Sequence, residues 1–264
     1  MIDILKDVLS NAMSVFNTSD AMFKRLNKKY QNRYIRVINF HHTRIKHRKN
    51  FEEQIKWFKE NFRNIDYAQF DEFMKTGKYS GDKPGIMLTF DDGFADNYTV
   101  AKPILEKYGF TGYFMVSSDL IGKDKYMNVQ QLKEMIASGH TVTDHTATHY
   151  RMTENDDDDM LDYQIVVSKM KIEALLETKI SVFTWVGGEE ESYTKKAFDK
   201  IKSSDYSYGF MTNSAPVTEN TDPFMIQRTN VESDWDLKAV KMAVCGITDK
   251  KYEAKRERVE SLMK

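Results

Sequence analysis

Two short motifs combine carboxylates and imidazoles in a pattern that could bind a metal ion and move a proton. Asp91 and Asp92 directly follow the apolar run 86–90, and His145 and His149 are four residues apart. Neighbouring side chains at a strand end point in opposite directions, so one carboxylate could bind a metal while the other accepts a proton. Two imidazoles and one carboxylate are a known ligand set for catalytic zinc. The histidine spacing predicts that both rings lie on one face of a helical turn.

The order and spacing of these motifs also resemble those of a known family. TFDDG at 89–93 and HTATH at 145–149 are similar to the motifs of NodB-type polysaccharide deacetylases, the family 4 carbohydrate esterases. The resemblance implies a distorted (β/α) barrel that removes an N-acetyl group from an N-acetylhexosamine-containing glycan or glycan precursor. It implies that Asp91 is the catalytic base and that Asp92, His145 and His149 bind one divalent metal. Zinc suits these ligands best, and cobalt, nickel and iron also fit them.

A third family motif is altered in this chain. FTWVGG at 183–188 stands where the family usually has Arg-x-Pro-Tyr, so the arginine is replaced by Thr184. This version is closer to the branch that acts on poly-N-acetylglucosamine. Trp185 could stack on a sugar or could be a buried aromatic residue. The backbone N–H near Gly187 could stabilise an oxyanion, and Arg228 could orient Asp91 or form a structural salt bridge.

The family's late histidine, its general acid, has no counterpart because no histidine follows His149. His41 or His42, at the end of the first predicted strand, could replace it. The position of His41 after a barrel strand also favours a place at the pocket mouth. Alternatively, Asp91 could return its proton to the leaving amine, or the enzyme could be impaired.

The sequence is also compatible with two other functions. The altered third motif and the missing late histidine are also typical of a degenerate sugar-binding or scaffold protein that keeps the fold without turnover. A barrel hydrolase of another C–N bond, such as a cyclic amide, would use the same metal ligands. Fold alone does not decide between these functions.

Composition excludes several classes of protein. The 264 residues are 41% hydrophobic and 30% charged with a net charge of -1, so the chain carries no nucleic-acid footprint. The single cysteine excludes an intrachain disulfide. No apolar run approaches the roughly 18 residues of a membrane span. Acidic residues interrupt the N-terminus, which is unlike a secretory signal, so we expect a cytoplasmic location.

Strand-like and helix-like segments alternate along most of the chain, which favours βαβ units with parallel strands. We predict about seven parallel strands in a barrel over residues 33–247, preceded by a helical extension over 1–32. A charged helix or tail is predicted over 248–264. Apolar residues at helical spacing within 2–16 predict an amphipathic helix, which could pack on its own domain or contact a membrane surface.

Overall fold

The computed structural model describes residues 18–264, so the predicted helix over 2–16 and its suggested membrane contact lie outside the described residues. Within the described part of the chain, the helices are too short or too polar for any of them to cross a bilayer. The expected cytoplasmic location stays a prediction.

Parallel strands form a nearly closed barrel, which confirms the predicted distorted (β/α) architecture. The strands are β1 (Ile35–Phe40), β2 (Arg63–Asn64), β3 (Gly85–Phe90), β4 (Gly112–Val116), β5 (Thr141–Asp144), β6 (Val182–Thr184), β7 (Tyr208–Met211), β8 (Ile226–Gln227) and β9 (Thr229–Asn230). Eight of them follow the order β8-β7-β6-β5-β4-β3-β1-β9, and β2 pairs with the start of β3. Arg228 alone separates β8, which pairs with β7, from β9, which pairs with β1. This one stretch therefore joins the two ends of the sheet.

Helices cover the outside of the barrel. They are α1 (Thr18–Tyr30), α2 (Arg48–Asn61), α3 (Tyr67–Thr76), α4 (Lys102–Tyr108), α5 (Val129–Ala137), α6 (Asp158–Leu161), α7 (Ser168–Leu176), α8 (Lys195–Ser203), α9 (Leu237–Val244), α10 (Ile247–Lys251) and α11 (Glu253–Met263). Phe23 of α1 packs against Trp57 and Phe62, with ring centroids 5.9 and 5.2 Å apart. The helix predicted over 95–108 is interrupted by a π-helical turn, and Pro103 lies in the first turn of α4, where its missing N–H is tolerated.

Side-chain alternation divides the strand residues between two apolar clusters. Ile35 and Val37 belong to the cluster inside the barrel, whereas Ile38 and Phe40 belong to the cluster between barrel and helices. Along each strand, every second side chain points into the barrel. Continued to the carboxyl ends of the strands, the inward series reaches polar residues, namely Asn39, His41, Thr89, Asp91, Thr212 and Arg228. The barrel interior is therefore apolar along most of its length and polar at its carboxyl end.

The C-terminal segment packs onto the barrel wall. Arg36 lies on the outward face of β1 and is fully buried. Its guanidinium donates two hydrogen bonds to the Asp249 carboxylate, at 2.7 and 2.9 Å. Ser214 Oγ donates a third hydrogen bond to the same carboxylate at 2.7 Å. These contacts fix the start of the segment predicted as a charged helix or tail, while the boundaries at 32 and 247 stay predictions.

Candidate active site

A cavity of about 400 Å³ opens at the carboxyl ends of the strands, and Asp91, Asp92, His145 and His149 all line it. Asp91 follows β3 directly, and its backbone N–H donates to the Phe40 carbonyl of β1 at 2.8 Å. The inward series of β3 continues to Asp91, which is 4% exposed. The carboxylate motif therefore lies where sequence analysis predicts it, at the mouth of the barrel.

Three side chains converge on a point suited to a metal ion. His149 Nε2 lies 2.9 Å and His145 Nε2 3.6 Å from Asp92 Oδ1. One ligand atom from each residue can be chosen so that all three lie within 4.8 Å of one another. Among the described residues, the buried Asp92 Oδ1 has no partner with hydrogen-bond geometry. An acceptor of this kind beside two imidazole nitrogens fits a divalent ion.

Electrostatics around Asp92 keep it ionised. Burial alone would raise the pKa of its carboxyl, but His145 and His149 beside it lower that pKa well below its usual range. The backbone fixes the orientation of the His145 ring, because its Nδ1 donates a hydrogen bond to the Thr184 carbonyl oxygen at 3.0 Å. That bond leaves Nε2 as the lone-pair nitrogen facing the cavity, which is the arrangement that metal-binding histidines need.

The histidine motif is not helical, so that part of the prediction is wrong. His145 directly follows β5, and residues 145–149 form a loop in which Thr146 and His149 have φ angles of +66° and +59°. The loop brings the two ring centroids to 5.2 Å. Asp92 also has a positive φ, of +72°. Left-handed backbone is costly for such residues and is often found at functional sites.

Arg228 binds Asp91 through two charge-assisted hydrogen bonds. Nη1 donates to Oδ1 at 2.6 Å and Nη2 donates to Oδ2 at 3.0 Å, with the guanidinium fully buried. Burial alone would raise the pKa of the Asp91 carboxyl, but Arg228, together with nearby His145, holds it below its usual range. The geometry fits the role suggested for Arg228, which stays a prediction. Arg228 lies between β8 and β9, whereas Thr184, at the position of the family's usual arginine, ends β6.

His41 lies in the same cavity with a carboxylate behind it. Its Nδ1 donates to Glu232 Oε1 at 3.0 Å. Burial disfavours the charged ring, but this hydrogen bond and the negative charges of Asp91, Glu232 and Asp92 together outweigh burial and raise the pKa of His41 to about 9. His41 is therefore protonated at neutral pH and could act as an acid.

His42 has different surroundings. Its Nδ1 donates to Asp96 Oδ2 at 2.8 Å, and its ring stacks on Phe94 with centroids 3.6 Å apart. His42 is not among the residues that line the catalytic cavity in the described part of the chain. Of the two histidines that sequence analysis left open, the geometry favours His41.

Gly187 of the altered third motif lines the catalytic cavity, whereas Trp185 of the same motif does not. Gly187 has φ at +85°, a left-handed conformation that favours glycine, and a Cβ there would displace the end of the Glu189 side chain, whose Oε2 would lie 2.7 Å away. Its suggested oxyanion contact stays a prediction. Stacking of Trp185 on a sugar is wrong, because Trp185 is 1% exposed and packs between Phe183 and Tyr193. The outward face of β6 continues to Trp185 and carries it into the helix-facing core.

Several lining residues were missed by sequence analysis. They are Asn39, Arg151, Thr212, Asn230, Tyr252 and Lys255, together with Glu232 behind His41. The period-two pattern along the strands could have identified Asn39, Thr212 and Asn230, because each lies on the inward face. Tyr252 and Lys255 lie beyond the barrel strands, and no local signal in the sequence places them at the cavity.

Comparison with known proteins agrees with this arrangement. The polysaccharide deacetylase family model matches residues 78–209, half of the chain, and this range contains all four residues of the carboxylate and histidine motifs. The chain belongs to the polysaccharide deacetylase family. The family assignment confirms the resemblance inferred from TFDDG and HTATH.

Individual relatives within the family are distant. The Staphylococcus aureus poly-β-1,6-N-acetyl-D-glucosamine N-deacetylase is 25% identical over 210 residues, covering 70% of this chain and 67% of that protein. Bacillus subtilis YxkH is 24% identical over 188 residues, covering 70% of this chain and 64% of YxkH. The chain thus spans about two thirds of the length of these relatives.

Solved structures of the family share the fold. Streptococcus pyogenes deacetylase PplD, in complex with acetate, superposes with a TM-score of 0.71 at 20% identity, over 80% of this chain and 98% of PplD. IcaB from Ammonifex degensii superposes with a TM-score of 0.65 at 19% identity, over 80% of this chain and 95% of IcaB. At these identities, the likeness establishes the barrel and leaves substrate and chemistry to the site.

Removal of one imidazole from this family site should abolish tight metal binding. We expect His149→Ala to weaken zinc binding by at least about 100-fold, since changes behind the ligands already cost 10–100-fold. Its side chain is 43% exposed, so the fold should tolerate the change. Calorimetric titration of metal-stripped protein with zinc measures the effect. His47→Ala, which lies outside the cluster, is the matched control, and equal affinity in both variants would exclude His149 as a ligand.

Proposed function

We propose that this chain is a divalent-metal-dependent N-deacetylase acting on an N-acetylhexosamine unit of a glycan or glycan precursor. One observation carries the proposal. Asp91, which binds Arg228, lines one cavity together with the three possible metal ligands and with His41, whose pKa is raised by Glu232 and the nearby carboxylates. Hydrolysis of an unactivated amide needs a base, an acid and a stabilised oxyanion, and this cavity contains groups for each of them.

Asp92, His145 and His149 would hold the metal ion. Two imidazoles and a carboxylate favour zinc, and the same donors accept cobalt, nickel or iron. When bound, the ion would supply Lewis acidity to the water and to the amide carbonyl oxygen. The orphaned Asp92 oxygen and the oriented His145 support this assignment.

The side chains then divide the proton transfers between them. Asp91 takes a proton from water as the water oxygen forms its bond to the acetamide carbon. His41, with Nδ1 held by Glu232, donates a proton from Nε2 to the nitrogen as the C–N bond breaks. The products are acetate and a free amine. Transfer of the proton from Asp91 to His41 through solvent restores both groups.

Two missing family residues suggested a degenerate protein, and this site contains a residue that could replace each of them. Arg228 binds the base in place of the family's missing arginine, and His41 is available in place of the late histidine. The name of the S. aureus relative specifies deacetylation of a β-1,6-linked N-acetylglucosamine polymer. This supports an N-acetylglucosamine unit as the first substrate to assay.

The alkaline limb of the pH profile tests the role of His41. A general acid works below its pKa, so we expect kcat to fall as pH rises through about 9 or, because a bound cation opposes the charged ring, somewhat lower. Glu232→Gln removes the carboxylate that raises the His41 pKa, so the limb should move toward lower pH. Glu190→Gln, whose carboxylate binds Arg258 instead, is the control. An unchanged limb in Glu232→Gln would contradict the assignment.

A substrate panel tests the proposed reaction itself. Zinc-loaded protein is incubated with N-acetylglucosamine oligomers, their deacetylated counterparts and cyclic amides, and acetate and free amine are quantified. We expect equimolar acetate and amine from the acetylated sugars only. Binding of these sugars without acetate release would favour a sugar-binding protein, and turnover of cyclic amides alone would favour the other hydrolase.

A further inference from the structure

A second cavity, of about 210 Å³, adjoins the catalytic cavity. It lies between strand β9 and helix α9. Three residues line both cavities, namely Thr212, Asn230 and Tyr252. Because the cavities have these residues in common, they are adjacent, and a ligand that occupied both would pass these three side chains.

The surface of the second cavity is mainly apolar, although polar side chains such as those of Ser214, Thr229 and Thr248 also line it. Ala239, Met242 and Ala243 of α9 are buried along one side, and Trp235 and Ile247 lie at its partly exposed rim. Water gains little in an apolar cavity because it finds few hydrogen-bond partners there. An alkyl chain, in contrast, is stabilised by each methylene group that leaves water. Methionine in the wall adapts readily to such a chain.

Two lysines flank the ring of Tyr252, at the boundary between the cavities. Lys251 Nζ lies 5.3 Å and Lys255 Nζ 6.0 Å from the ring centroid. Lys251 lines the apolar cavity and Lys255 lines the catalytic cavity. Lys255 also donates to the Gly188 carbonyl, which leaves further N–H groups of its ammonium available. Ammonium groups placed in this way are suitable partners for a phosphate.

Nearby carboxylates do not cancel these two charges. Glu189 forms an ion pair with Arg151 at 3.2 Å, and Glu190 forms one with Arg258 at 2.8 Å. Within the described chain, Lys251 takes part in no ion pair. The carboxylate of Glu191 also acts on Lys255, so it partly offsets the charge of that lysine, whereas the positive charge of Lys251 is kept.

Glu232 connects the second cavity to the proposed general acid. Its side chain lines the second cavity and accepts the hydrogen bond from Nδ1 of His41, which itself lines the catalytic cavity. The second cavity therefore adjoins the Nδ1 side of the His41 ring, whereas the leaving amine of the proposed reaction faces Nε2.

We propose that the substrate sugar is joined through a phosphate to an alkyl chain, which occupies the apolar cavity. The N-acetyl sugar lies in the catalytic cavity, the phosphate between Lys251 and Lys255, and the first methylene groups between Trp235 and α9. This inference rests on the proposed function for the identity of the sugar. It selects a lipid-phosphate-linked N-acetylhexosamine as the substrate class, in preference to a free polymer.

Binding of octyl phosphate tests the site without requiring turnover. In calorimetry, the full chain should bind octyl phosphate at least about tenfold more tightly than ethyl phosphate, because the longer chain leaves water. Ala243→Phe narrows the cavity and should remove this difference. Lys251→Gln should weaken octyl phosphate binding, whereas Lys250→Gln, an exposed neighbour that lines neither cavity, should not. Since Lys251 is exposed, its substitution tests the proposal even if Ala243→Phe fails to fold.

Equal affinity for ethyl and octyl phosphate would overturn the proposal, as would equal effects of Lys251→Gln and Lys250→Gln. Binding that appears only after removal of residues 1–17 would assign the cavity to that segment of the chain and would also overturn it. These outcomes do not depend on acetate release, so they are distinguishable from failure of the proposed function.

Turnover provides the second arm of the test. N-acetylglucosamine is supplied as its methyl and octyl phosphodiesters and as its octyl glycoside, and acetate release is measured. We expect kcat/KM to be highest for the octyl phosphodiester, by about tenfold over either other compound. Equal kcat/KM for all three would overturn the proposal while leaving the deacetylase function intact. Absence of acetate from all three, despite binding of octyl phosphate, would contradict the deacetylase function instead.

Discussion

Asp91→Asn should lower the rate of acetate release by about 10³-fold while zinc still binds. The substituted side chain has the same shape but no longer accepts a proton from water, and loss of a general base typically costs 10²–10⁴-fold. The three proposed metal ligands are unchanged, so calorimetry should still find one zinc site. Acetate release under saturating substrate measures the rate, and zinc affinity measured in parallel shows whether the metal site is intact.

Asp96→Asn is the matched control for this substitution. Asp96 follows the same strand and contacts His42, but it does not line the catalytic cavity. We expect acetate release per folded protein within about threefold of the unmodified protein, since Asp96 and its partners His42 and Thr43 lie outside the catalytic cavity. Wild-type acetate release by Asp91→Asn would exclude Asp91 as the base. Loss of zinc binding in that variant would instead mean that Asp91 belongs to the metal site.

Arg228→Met should destabilise the protein by about 3–5 kcal/mol, since it leaves a buried carboxylate without its partner. Arg228 is fully buried and the Asp91 side chain is 5% exposed, so water cannot replace the lost charge. The same change should raise the Asp91 pKa, and the acidic limb of the kcat profile should move to higher pH. Urea unfolding measures the stability, and the pH profile separates an effect on the base from a purely structural one.

Arg33→Met and Arg228→Lys serve as controls for Arg228→Met. Arg33→Met removes an exposed pair with Glu219, in which both side chains are about half exposed, so the cost should stay below about 1 kcal/mol. Arg228→Lys keeps one positive charge but loses the bidentate geometry, so we expect an intermediate stability and pH profile. A loss in Arg228→Met no larger than that in Arg33→Met would contradict the role given to this ion pair.

Much of the site follows from local rules of sequence. The apolar run before Asp91 predicts a buried strand, and a strand end in an α/β fold predicts a place at the mouth of the barrel. The same alternation that carries Asp91 inward carries Trp185 outward, in phase with Phe183. Stacking of Trp185 on a sugar was therefore wrong for a reason already present in the strand pattern.

Other parts of the site depend on tertiary structure. The spacing of His145 and His149 fits a helical turn equally well, and only the left-handed residues of the loop show how the rings meet. Glu232 follows the last barrel strand and contacts His41, which follows the first strand, although the two residues are 191 positions apart in the sequence. Tyr252 reaches the cavity because the C-terminal segment packs against β1, a contact with no local signature.

Zinc-dependent acetate release tests the central claim most directly. Metal-stripped protein is titrated with zinc while acetate release from an N-acetylglucosamine oligomer, or its octyl phosphodiester, is followed. We expect no release without zinc and a linear rise that ends at one equivalent, with His149→Ala inactive over the same range. The same rate with and without a strong chelator, or a full rise in His149→Ala, would contradict a metal-dependent deacetylase built on Asp92, His145 and His149.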